Sequence, residues 1–341
     1  MSHEITNIDK QQGLTQAWHG LTEILPVILL KKCWLAVWDV TLRPLFRHNA
    51  DGSTVETDQC EVVCTDNPEI IIGETVNRTT YSLFSNQAFL AIVQQALDKI
   101  SGAIVASVGS VCKRGRIFVT LQIPDLKSFL CAGREFKPYL NFLSSHDKSA
   151  PFVVNLSTVC TVCNNTFGMN LRDTNEDSLR ISVRHTSGME MTLRDVPAII
   201  EAYFASVQRF AEIMDALYSI PVNATDARYF FAGFLTEKDQ TSDKTAGEKA
   251  ELSTRRLNQI DRLAELFATG KGNKGENLSD VFSAITDYYS HESSGGDNAE
   301  KQVASSEFGN GQTMKAFAFA VLQDDKWIAK LMAKGEKVLQ P

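Results

Sequence analysis

The sequence predicts an α+β fold, in which an antiparallel sheet with β-hairpins and packed helices is followed by a mainly helical C-terminal region. Up to about residue 195, short β-branched and aromatic runs alternate with clusters of Gly, Pro, Asn and Asp, a pattern typical of strands and turns. Beyond that point, apolar residues recur at helical spacing over longer segments. We therefore expect an N-terminal arm with the first strands at 1–60, an α+β core at 61–195 and a helical region at 196–341.

The first part of the chain is predicted to begin with a loose arm at 1–20 and to continue in short strands. Residues 21–38 are apolar around Lys31 and Lys32, which favours a helix that gives way to a strand at 33–42. Asp51-Gly52 indicates a hairpin turn within a polar loop at 48–58. Further short strands are expected at 61–65, 70–72 and 80–84.

A helix and a β-hairpin follow. Apolar residues at helical spacing predict a helix at 86–100, which Ser85 or Asn86 can cap and Gly102 can end. The turn Cys-Lys-Arg-Gly-Arg at 112–116 joins two strands, and Gly115 can adopt a positive φ there. The strands of this part are expected at 104–111, 117–123, 136–142, 151–162 and 179–185.

The last part of the chain is predicted to be helical. Asp195 caps a helix that has Pro197 in its first turn and extends to about residue 218. Polar, Gly-rich loops separate the helices that follow. We expect these loops at 237–245, 270–276 and 293–298, and the helices at 226–235, 248–268, 277–289 and 311–322.

Composition and charge exclude several classes of protein. The chain has 341 residues and a net charge of −7, which excludes a wholly basic nucleic-acid binder but not a local basic patch. Seven cysteines without a signal peptide are typical of reduced thiols. The polar start and the lack of a long apolar run predict a cytoplasmic protein that has no membrane partner.

Residues 139–171 form the strongest candidate for a functional site, because small polar residues interrupt two apolar runs there. From Lys113 to Lys148 the local charge reverses, with seven Lys or Arg against three Asp or Glu. Cations on a rigid hairpin can follow a phosphate backbone, and the aromatic residues between them can stack on bases. Charged turns and core aromatics are also ordinary features of a sheet. The residues expected to contact nucleic acid are Lys113, Arg114, Arg116, Lys137, His146, Lys148, Asn164, Asn165, Arg184 and His185.

Two parts of this stretch also suggest other chemistry. Consecutive Ser145, His146 and Asp147 cannot converge as a catalytic triad, because neighbours on a strand point to opposite faces. A turn in which Asp147 accepts hydrogen bonds from nearby backbone N–H groups is favoured instead. Asn164 and Asn165 are typical of a helix N-cap, whose N–H groups can also hold a phosphate.

Metal and nucleotide binding are not expected. Two cysteine pairs could form a zinc site only if they met in space, so buried free thiols are the preferred interpretation. The Gly- and Lys-rich stretch at 270–275 lacks the Ser or Thr of a phosphate-binding loop and is interpreted as a flexible loop. No cofactor is therefore expected. The cysteine pairs are Cys60 with Cys64 and Cys160 with Cys163.

Several sequence blocks follow one another in a fixed order between residues 17 and 320. They are Trp-His-Gly at 18–20, YSLFSNQAF at 81–89, GRIFVTLQIP at 115–124, Ser-His-Asp at 145–147, Cys163 with Asn165 and Thr166, Arg-His-Thr at 184–186, and DVFSAITDYYSH at 280–291. Together they resemble the uncharacterised phage- and plasmid-like protein family, a domain of unknown function. The chain departs from the family's pattern at Ser144, Lys148 and Ser290, where the family has Asn, Gly and Asp.

The resemblance implies a protein of a mobile genetic element but no known reaction. The leading hypothesis is a homo-oligomeric protein that binds single-stranded DNA in recombination or replication, with strand annealing as one such role. A first alternative is a non-enzymatic interaction protein that counters a host defence or repair factor. A second is an enzyme with an unrecognised site around His146, Asn165 and His185. A protein without catalytic activity is favoured over an enzyme.

Overall fold

The computed structural model describes most of the chain in two compact units. The described residues are 4–8, 23–25, 28–123, 129–160, 166–168, 181–183, 185, 196–242, 252–293 and 299–340. Unit 1 comprises residues 1–127, 138–157 and 169–207, and unit 2 comprises residues 128–137, 158–168 and 208–341. The division into three segments that the sequence suggests stays a prediction.

The strands form a large, mainly antiparallel sheet and a small three-stranded one. In chain order they are β1 (Glu4–Ile8), β2 (Glu23–Leu25), β3 (Val40–His48), β4 (Thr54–Cys64), β5 (Ile71–Asn77), β6 (Ile104–Val111), β7 (Arg116–Gln122), β8 (Phe129–Cys131), β9 (Arg134–Ser145), β10 (Phe152–Cys160), β11 (Thr166–Gly168) and β12 (Ile181–Val183). In unit 1 the large sheet has the order β2-β1-β6-β7-β9-β10, and β12 pairs with β10. The small sheet has the order β3-β4-β5.

Among the described α-helices, one lies between β5 and β6 and the others follow β12. They are α1 (Asn86–Lys99), α2 (Val196–Tyr218), α3 (Ala224–Ser242), α4 (Thr254–Thr269), α5 (Leu278–His291), α6 (Ala299–Phe308), α7 (Asn310–Val321) and α8 (Asp325–Leu339). The predicted α+β class, with a sheet region followed by helices, is confirmed. Among the described helices, none has the length and the apolar character needed to cross a membrane.

Helix α1 provides much of the core of unit 1. It begins as predicted at Ser85, whose side chain accepts a hydrogen bond from the Ala88 amide at 3.0 Å. Its Phe89 and Val93 side chains are completely buried, and the Phe89 ring meets the ring of Phe152 on β10 edge to face, with 6.0 Å between centroids. The apolar residues that recur at helical spacing in the sequence thus form the buried face of α1.

Helices α3 and α8 make a very close contact in unit 2. A Cβ atom on Gly335 would lie 1.8 Å from the Tyr229 carbonyl oxygen, and one on Gly233 would lie 1.9 Å from the Leu331 carbonyl oxygen. Neither position can hold a side chain unless the helices move apart. The two glycines therefore permit the backbone approach that buries Phe234, which is completely inaccessible to solvent.

Several predicted elements differ from the observed ones. Residues 80–84 form no strand, although the Ser82 amide donates a hydrogen bond of 3.1 Å to the His185 carbonyl. The helix expected to give way to a strand at 33–42 is wrong for the described residues 28–39, which contain two 3-10 turns, Leu30–Lys32 and Trp34–Ala36, and the strand begins only at Val40. The polar loop expected at 48–58 is mostly the hairpin of β3 and β4.

The helical region is more extensive than predicted. Helix α3 continues to Ser242 instead of ending near 235, since Glu237 forms ion pairs of 2.8 Å and 2.6 Å with Lys330 and Lys334 of α8. Helices α6 and α8 were not expected, although α8 has a capping residue in Asp324. The helical class of this region is right, and the errors lie in where its elements begin and end.

Candidate functional site at the paired turns

Two turns of the large sheet lie side by side and define the candidate site. Residues 112–115 connect β6 to β7, and residues 146–150 connect β9 to β10. Strands β7 and β9 are antiparallel neighbours, and the His146 amide donates a hydrogen bond of 2.7 Å to the Gly115 carbonyl. We call residues 112–115 and 146–150 the paired turns.

The backbone of the paired turns is left-handed at residues that are not glycine. Cys112, Lys113, Arg114 and Lys148 have φ angles of 56°, 53°, 69° and 61°, and they are four of the five such residues in the described part of the chain. Each costs about 1–2 kcal/mol relative to an ordinary conformation, and such strain is concentrated at functional sites. Lys148 stands where the resembling family has Gly, and it adopts the conformation that glycine favours.

Gly115 has a different role from the one that the sequence suggests. Its predicted positive φ is wrong, because the three residues before it supply the left-handed turn instead. A Cβ atom at Gly115 would lie 2.9 Å from Asp147 Oδ2 and 3.0 Å from the Cys112 carbonyl oxygen. Gly115 therefore allows the two turns to approach each other closely.

Arg114 is held within unit 1 by two carboxylates and an aromatic ring. Its guanidinium forms an ion pair of 2.7 Å with Glu4 of β1 and one of 2.8 Å with Asp66, which lies between β4 and β5. It also lies 4.7 Å from the centroid of the Trp38 ring. Burial alone would lower the pKa of Arg114, but its hydrogen bonds to Glu4 and Asp66 raise that pKa above its ordinary value. Through these ion pairs, Arg114 links the large sheet to the small sheet, which is a structural role.

Replacing Arg114 with glutamine is expected to lower the free energy of unfolding by about 2 kcal/mol, because the half-buried Glu4 and Asp66 carboxylates lose a charged hydrogen-bond donor. The adjacent Lys113→Gln variant changes the same charge at an exposed position and is expected to leave stability within about 0.5 kcal/mol of the wild type. Denaturant unfolding of the two variants measures the difference. Equal stability of both would show that the Arg114 ion pairs contribute nothing.

Asp147 organises the second turn as the sequence predicts. Its Oδ1 atom accepts hydrogen bonds from the Ser149 amide, at 2.9 Å, and from the Ser149 hydroxyl. Arg116 donates through Nε to Ser149 Oγ at 2.8 Å, and the same Nε lies 3.8 Å from Asp147 Oδ2. Strand β5 passes against this turn, since a Cβ on Gly73 would be 2.7 Å from the Asp147 Cα.

Lys113 and Lys148 are the exposed cations of the paired turns. The Lys148 ammonium donates a hydrogen bond to the carbonyl oxygen of Thr75, which is a neutral group. The two lysines therefore present positive charge from a rigid backbone, whereas Arg114 and Arg116 face groups of their own unit.

His146 lies in the core beneath the paired turns and has no exposed surface. Its Nε2 atom is 2.9 Å from Asn86 Oδ1. Because Asn86 Nδ2 donates to the Trp38 carbonyl at 2.9 Å, Asn86 Oδ1 is the acceptor and His146 Nε2 carries the proton. His146 Nδ1 has no hydrogen-bond partner among the described residues. Burial, with a smaller contribution from the nearby His185, lowers the pKa of His146 to about 3, so the ring is neutral.

His185 is the second buried histidine of this cluster. Its Nε2 atom is 3.3 Å from Ser144 Oγ, and its ring stacks on Tyr81 with 5.7 Å between centroids. Burial lowers the pKa of His185 to about 4 and, together with Asp147, raises the pKa of Tyr81 to about 12. Neither the Nδ1 atom of His185 nor the hydroxyl group of Tyr81 has a hydrogen-bond partner in the part of the chain that the structure describes. We call His146, His185, Tyr81, Ser144 and Asn86 the buried polar cluster.

The buried polar cluster does not form a catalytic triad in the described residues. Ser144 and His185 are hydrogen-bonded, but both are buried, and His185 Nδ1 has no carboxylate to orient it. Ser145 instead bonds the backbone of Ala150 through its hydroxyl, at 2.7 Å and 2.9 Å. The arrangement joins the turn at 146–150 to the N-terminus of α1, which is a supporting role.

The residues expected to contact nucleic acid have different locations. Lys113 and Lys148 are exposed and Arg114 and Arg116 are half-buried, whereas His146 is completely buried and His185 is 8% exposed. Lys137 is half-buried on β9 and belongs to unit 2, so it is described apart from the paired turns. The remaining three, Asn164, Asn165 and Arg184, lie outside the described residues.

The cysteines expected to be buried thiols are partly described. Cys60 and Cys64 of β4 are free and buried. The side chains of Cys160 and Cys163 lie outside what the structure describes. Within the described ranges, no group of three or more His, Cys, Asp or Glu side chains is arranged to hold a metal ion.

Sequence reasoning missed Glu4, Trp38 and Tyr81 as parts of this site. Trp38 donates from Nε1 to Glu4 Oε2 at 3.0 Å and contacts both Arg114 and His146 through its ring. Tyr81 lies in one of the sequence blocks that resemble the family, and that block could have identified it as a candidate. Nothing in the local pattern around Glu4 indicates a partner 110 residues away.

Comparison with known proteins gives one match. A family model described as "Domain of unknown function (DUF932)" matches residues 75–316, which include the paired turns and the buried polar cluster. No curated protein and no solved structure matches the chain.

Proposed function

The chain belongs to the DUF932 family of domains of unknown function, and from that premise we propose that it binds nucleic acid, specifically single-stranded DNA, through the exposed lysines of the paired turns. This binding serves recombination or replication of a mobile element in the cytoplasm. Strand annealing by a homo-oligomer is one form that this activity takes.

The left-handed backbone of Lys113 and Lys148 carries the proposal. Both residues are exposed, and their φ angles of 53° and 61° are conformations that Gly or Asn adopts at less cost. Glycine would supply this backbone conformation at less cost, although it could not replace the hydrogen bond from the Lys148 ammonium to the Thr75 carbonyl oxygen. The ammonium group is the property that distinguishes lysine, and phosphate is the ligand that an exposed ammonium suits.

The groups around the two lysines support the same ligand. The Arg114 ion pairs and the Asp147 hydrogen bonds fix the turns in place, so that little conformational entropy is lost when a backbone binds. The carboxylates of Glu4 and Asp66 are occupied by Arg114 and the Asp147 carboxylate by Ser149, which reduces their repulsion of a phosphate. A single strand, whose phosphates are accessible, can follow adjacent turns of this kind.

Fluorescence anisotropy with labelled single- and double-stranded DNA across a salt series tests the proposal. The wild type is expected to bind the single strand, and its affinity is expected to fall steeply with salt. A Lys113→Asn/Lys148→Asn variant keeps side chains that tolerate the left-handed conformation but removes two charges. Because each phosphate contact contributes about 0.7 to the slope of log affinity against log salt, this variant is expected to reduce that slope by about 1.4.

A matched variant separates this site from general charge effects. Lys326→Gln/Lys337→Gln removes the same charge from exposed positions on α8 and is expected to leave affinity and slope nearly unchanged. If the folded wild type does not bind single-stranded DNA at low salt, the proposed function is wrong. If both double variants lose affinity equally, the paired turns are not the binding site.

A protein partner is the second candidate function, and the hairpin of β3 and β4 favours it. Phe46 and Val55, on either side of the hairpin tip, have exposed fractions of 56% and 45%, which is unusual for large apolar side chains. The partner in this case is a host defence or repair factor. A pull-down from host lysate with wild type and a Phe46→Ser/Val55→Ser variant tests it, since only the wild type is expected to retain the partner.

A further inference from the structure

Residues 29–37 of unit 1 display an apolar surface that the proposed function does not yet use. Two successive 3-10 turns, Leu30–Lys32 and Trp34–Ala36, bury Leu30, Cys33 and Leu35 and leave the other residues of the segment exposed. Leu29, Trp34 and Val37 have exposed fractions of 55%, 43% and 66%. Three large apolar side chains are thus exposed within nine residues, where single exposures are the norm.

The charge of this segment is positive in a chain whose net charge is −7. Residues 28–38 contain no Asp or Glu, and Lys31 and Lys32 are both exposed. The next acidic residue, Asp39, is occupied at the start of α1, where its carboxylate accepts hydrogen bonds from the Asn86 amide at 2.7 Å and the Gln87 amide at 3.2 Å. The apolar residues and the two ammonium groups are therefore next to each other without a neighbouring carboxylate in the segment.

Buried side chains and backbone hydrogen bonds hold the segment in place. Leu35 is completely buried and Leu30 and Cys33 nearly so, and the turns are closed by backbone hydrogen bonds of 2.9 Å from Lys32 to Leu29 and from Ala36 to Cys33. Trp34 therefore projects from a rigid support. A ligand that packs on its ring does not have to order the chain first.

We propose that residues 29–37 form a base-stacking platform for single-stranded nucleic acid, with Trp34 as the stacking surface and Lys31 and Lys32 as phosphate contacts. This inference rests on the proposed function and extends it to a second contact. Trp38, four residues beyond Trp34, lies under the Arg114 guanidinium at 4.7 Å. Four residues span at most about 14 Å between Cα atoms, so a strand of the length that such sites bind, about 4–16 nucleotides, can contact both the platform and Lys113.

Other ligands fit this surface less well. Binding to an anionic membrane relies on an amphipathic helix with a long apolar face, whereas residues 29–37 offer three apolar side chains on two short turns. A base, by contrast, needs one exposed aromatic face and a nearby cation for its phosphate. The segment supplies both.

Anisotropy with labelled oligothymidylate and with an abasic strand of equal length tests the platform. Trp34→Ala is expected to weaken binding to oligothymidylate by about fivefold to a hundredfold, the range for loss of one stacking contact. Trp34→Phe retains an aromatic face and is expected to keep most of the affinity. On the abasic strand, which has phosphates but no bases, wild type and Trp34→Ala are expected to bind equally. Lys31→Gln/Lys32→Gln is expected to weaken binding to both strands.

The outcomes separate this inference from the proposed function. If the wild type binds neither strand at low salt, the proposed function fails and the platform fails with it. If the wild type binds and depends on Lys113 and Lys148 but not on Trp34, only the platform is wrong. Equal loss for Trp34→Ala on both strands, or Trp34-dependent binding to anionic phospholipid vesicles without an effect on DNA, also overturns it. Thermal unfolding of each variant checks that its substitutions, which are at exposed positions, leave the fold intact.

Discussion

Replacing Asp280 with alanine is expected to lower the free energy of unfolding of unit 2 by about 3–5 kcal/mol, because it leaves the buried charge of Arg134 without its partner. The side chains of Arg134 and Asp280 are only 5% and 2% exposed. Asp280 Oδ2 also accepts hydrogen bonds from the amides of Lys274 and Glu276, at 3.2 Å and 3.1 Å. Arg134 Nε donates to the Gly272 carbonyl at 3.0 Å. A single carboxylate thus closes the loop before α5 and neutralises the guanidinium.

Denaturant unfolding of Asp280→Ala, Arg134→Ala and the double variant measures this effect. The double variant is expected to lose less free energy of unfolding than the two single variants lose together, since it leaves no uncompensated charge. Asp261→Ala is the matched control, because Asp261 pairs with Arg228 at the surface, where their exposed fractions are 55% and 41%. That pair is expected to contribute at most about 1 kcal/mol. If Asp280→Ala is no more destabilising than Asp261→Ala, the buried pair does not hold unit 2 together.

The Gly- and Lys-rich stretch at 270–275 shows what the sequence could not predict in unit 2. Its composition indicates a flexible loop. However, its backbone is hydrogen-bonded to Asp280 and Arg134, and Asn273 Nδ2 donates to the Leu266 carbonyl at 2.7 Å. Arg134 lies 146 residues before Asp280, and no local pattern reports a contact over such a separation.

The paired turns show the same limit for the candidate site. The hairpin of β6 and β7 and the Asp147 turn follow from β-branched runs and turn residues, which act locally, and both are confirmed. The distribution of charge does not follow from the same information. Seven cations against three acidic residues indicate a basic patch, but Arg114 is neutralised by Glu4 and Asp66 from outside the counted segment. Tertiary partners therefore decide which cations remain available.

The histidines were identified as candidates without their burial being predicted. In the Ser-His-Asp and Arg-His-Thr blocks the histidine lies between two polar residues, which suggests a surface position. In the structure, Asn86 and Ser144 satisfy one ring nitrogen of each histidine inside the core, and Trp38, Tyr81 and Phe84 surround the rings.

Acidification from pH 7 towards pH 4 is expected to destabilise unit 1 steeply, because both buried histidines are neutral in the folded state. The unfolded chain binds a proton at each histidine near pH 6.5, whereas the folded pKa values are about 3 for His146 and about 4 for His185. The stability contributed by the neutral rings is therefore fully present above pH 6.5 and is lost progressively as the pH falls to the folded values. For His146 the loss reaches about 3–4 kcal/mol at pH 4.

Denaturant unfolding of the wild type and of His146→Gln between pH 7.5 and about pH 4 measures this linkage. The glutamine amide can still donate to Asn86 Oδ1 but cannot titrate, so the variant is expected to be less stable at neutral pH and to lose stability less steeply on acidification. His48→Gln, at an exposed position next to the β3–β4 turn, is the control and is expected to keep the wild-type pH dependence. A wild-type slope in His146→Gln would contradict the assignment. Because His146 bonds Asn86 at the start of α1 and its amide bonds Gly115, single-stranded DNA binding by the paired turns is expected to be lost over the same pH range.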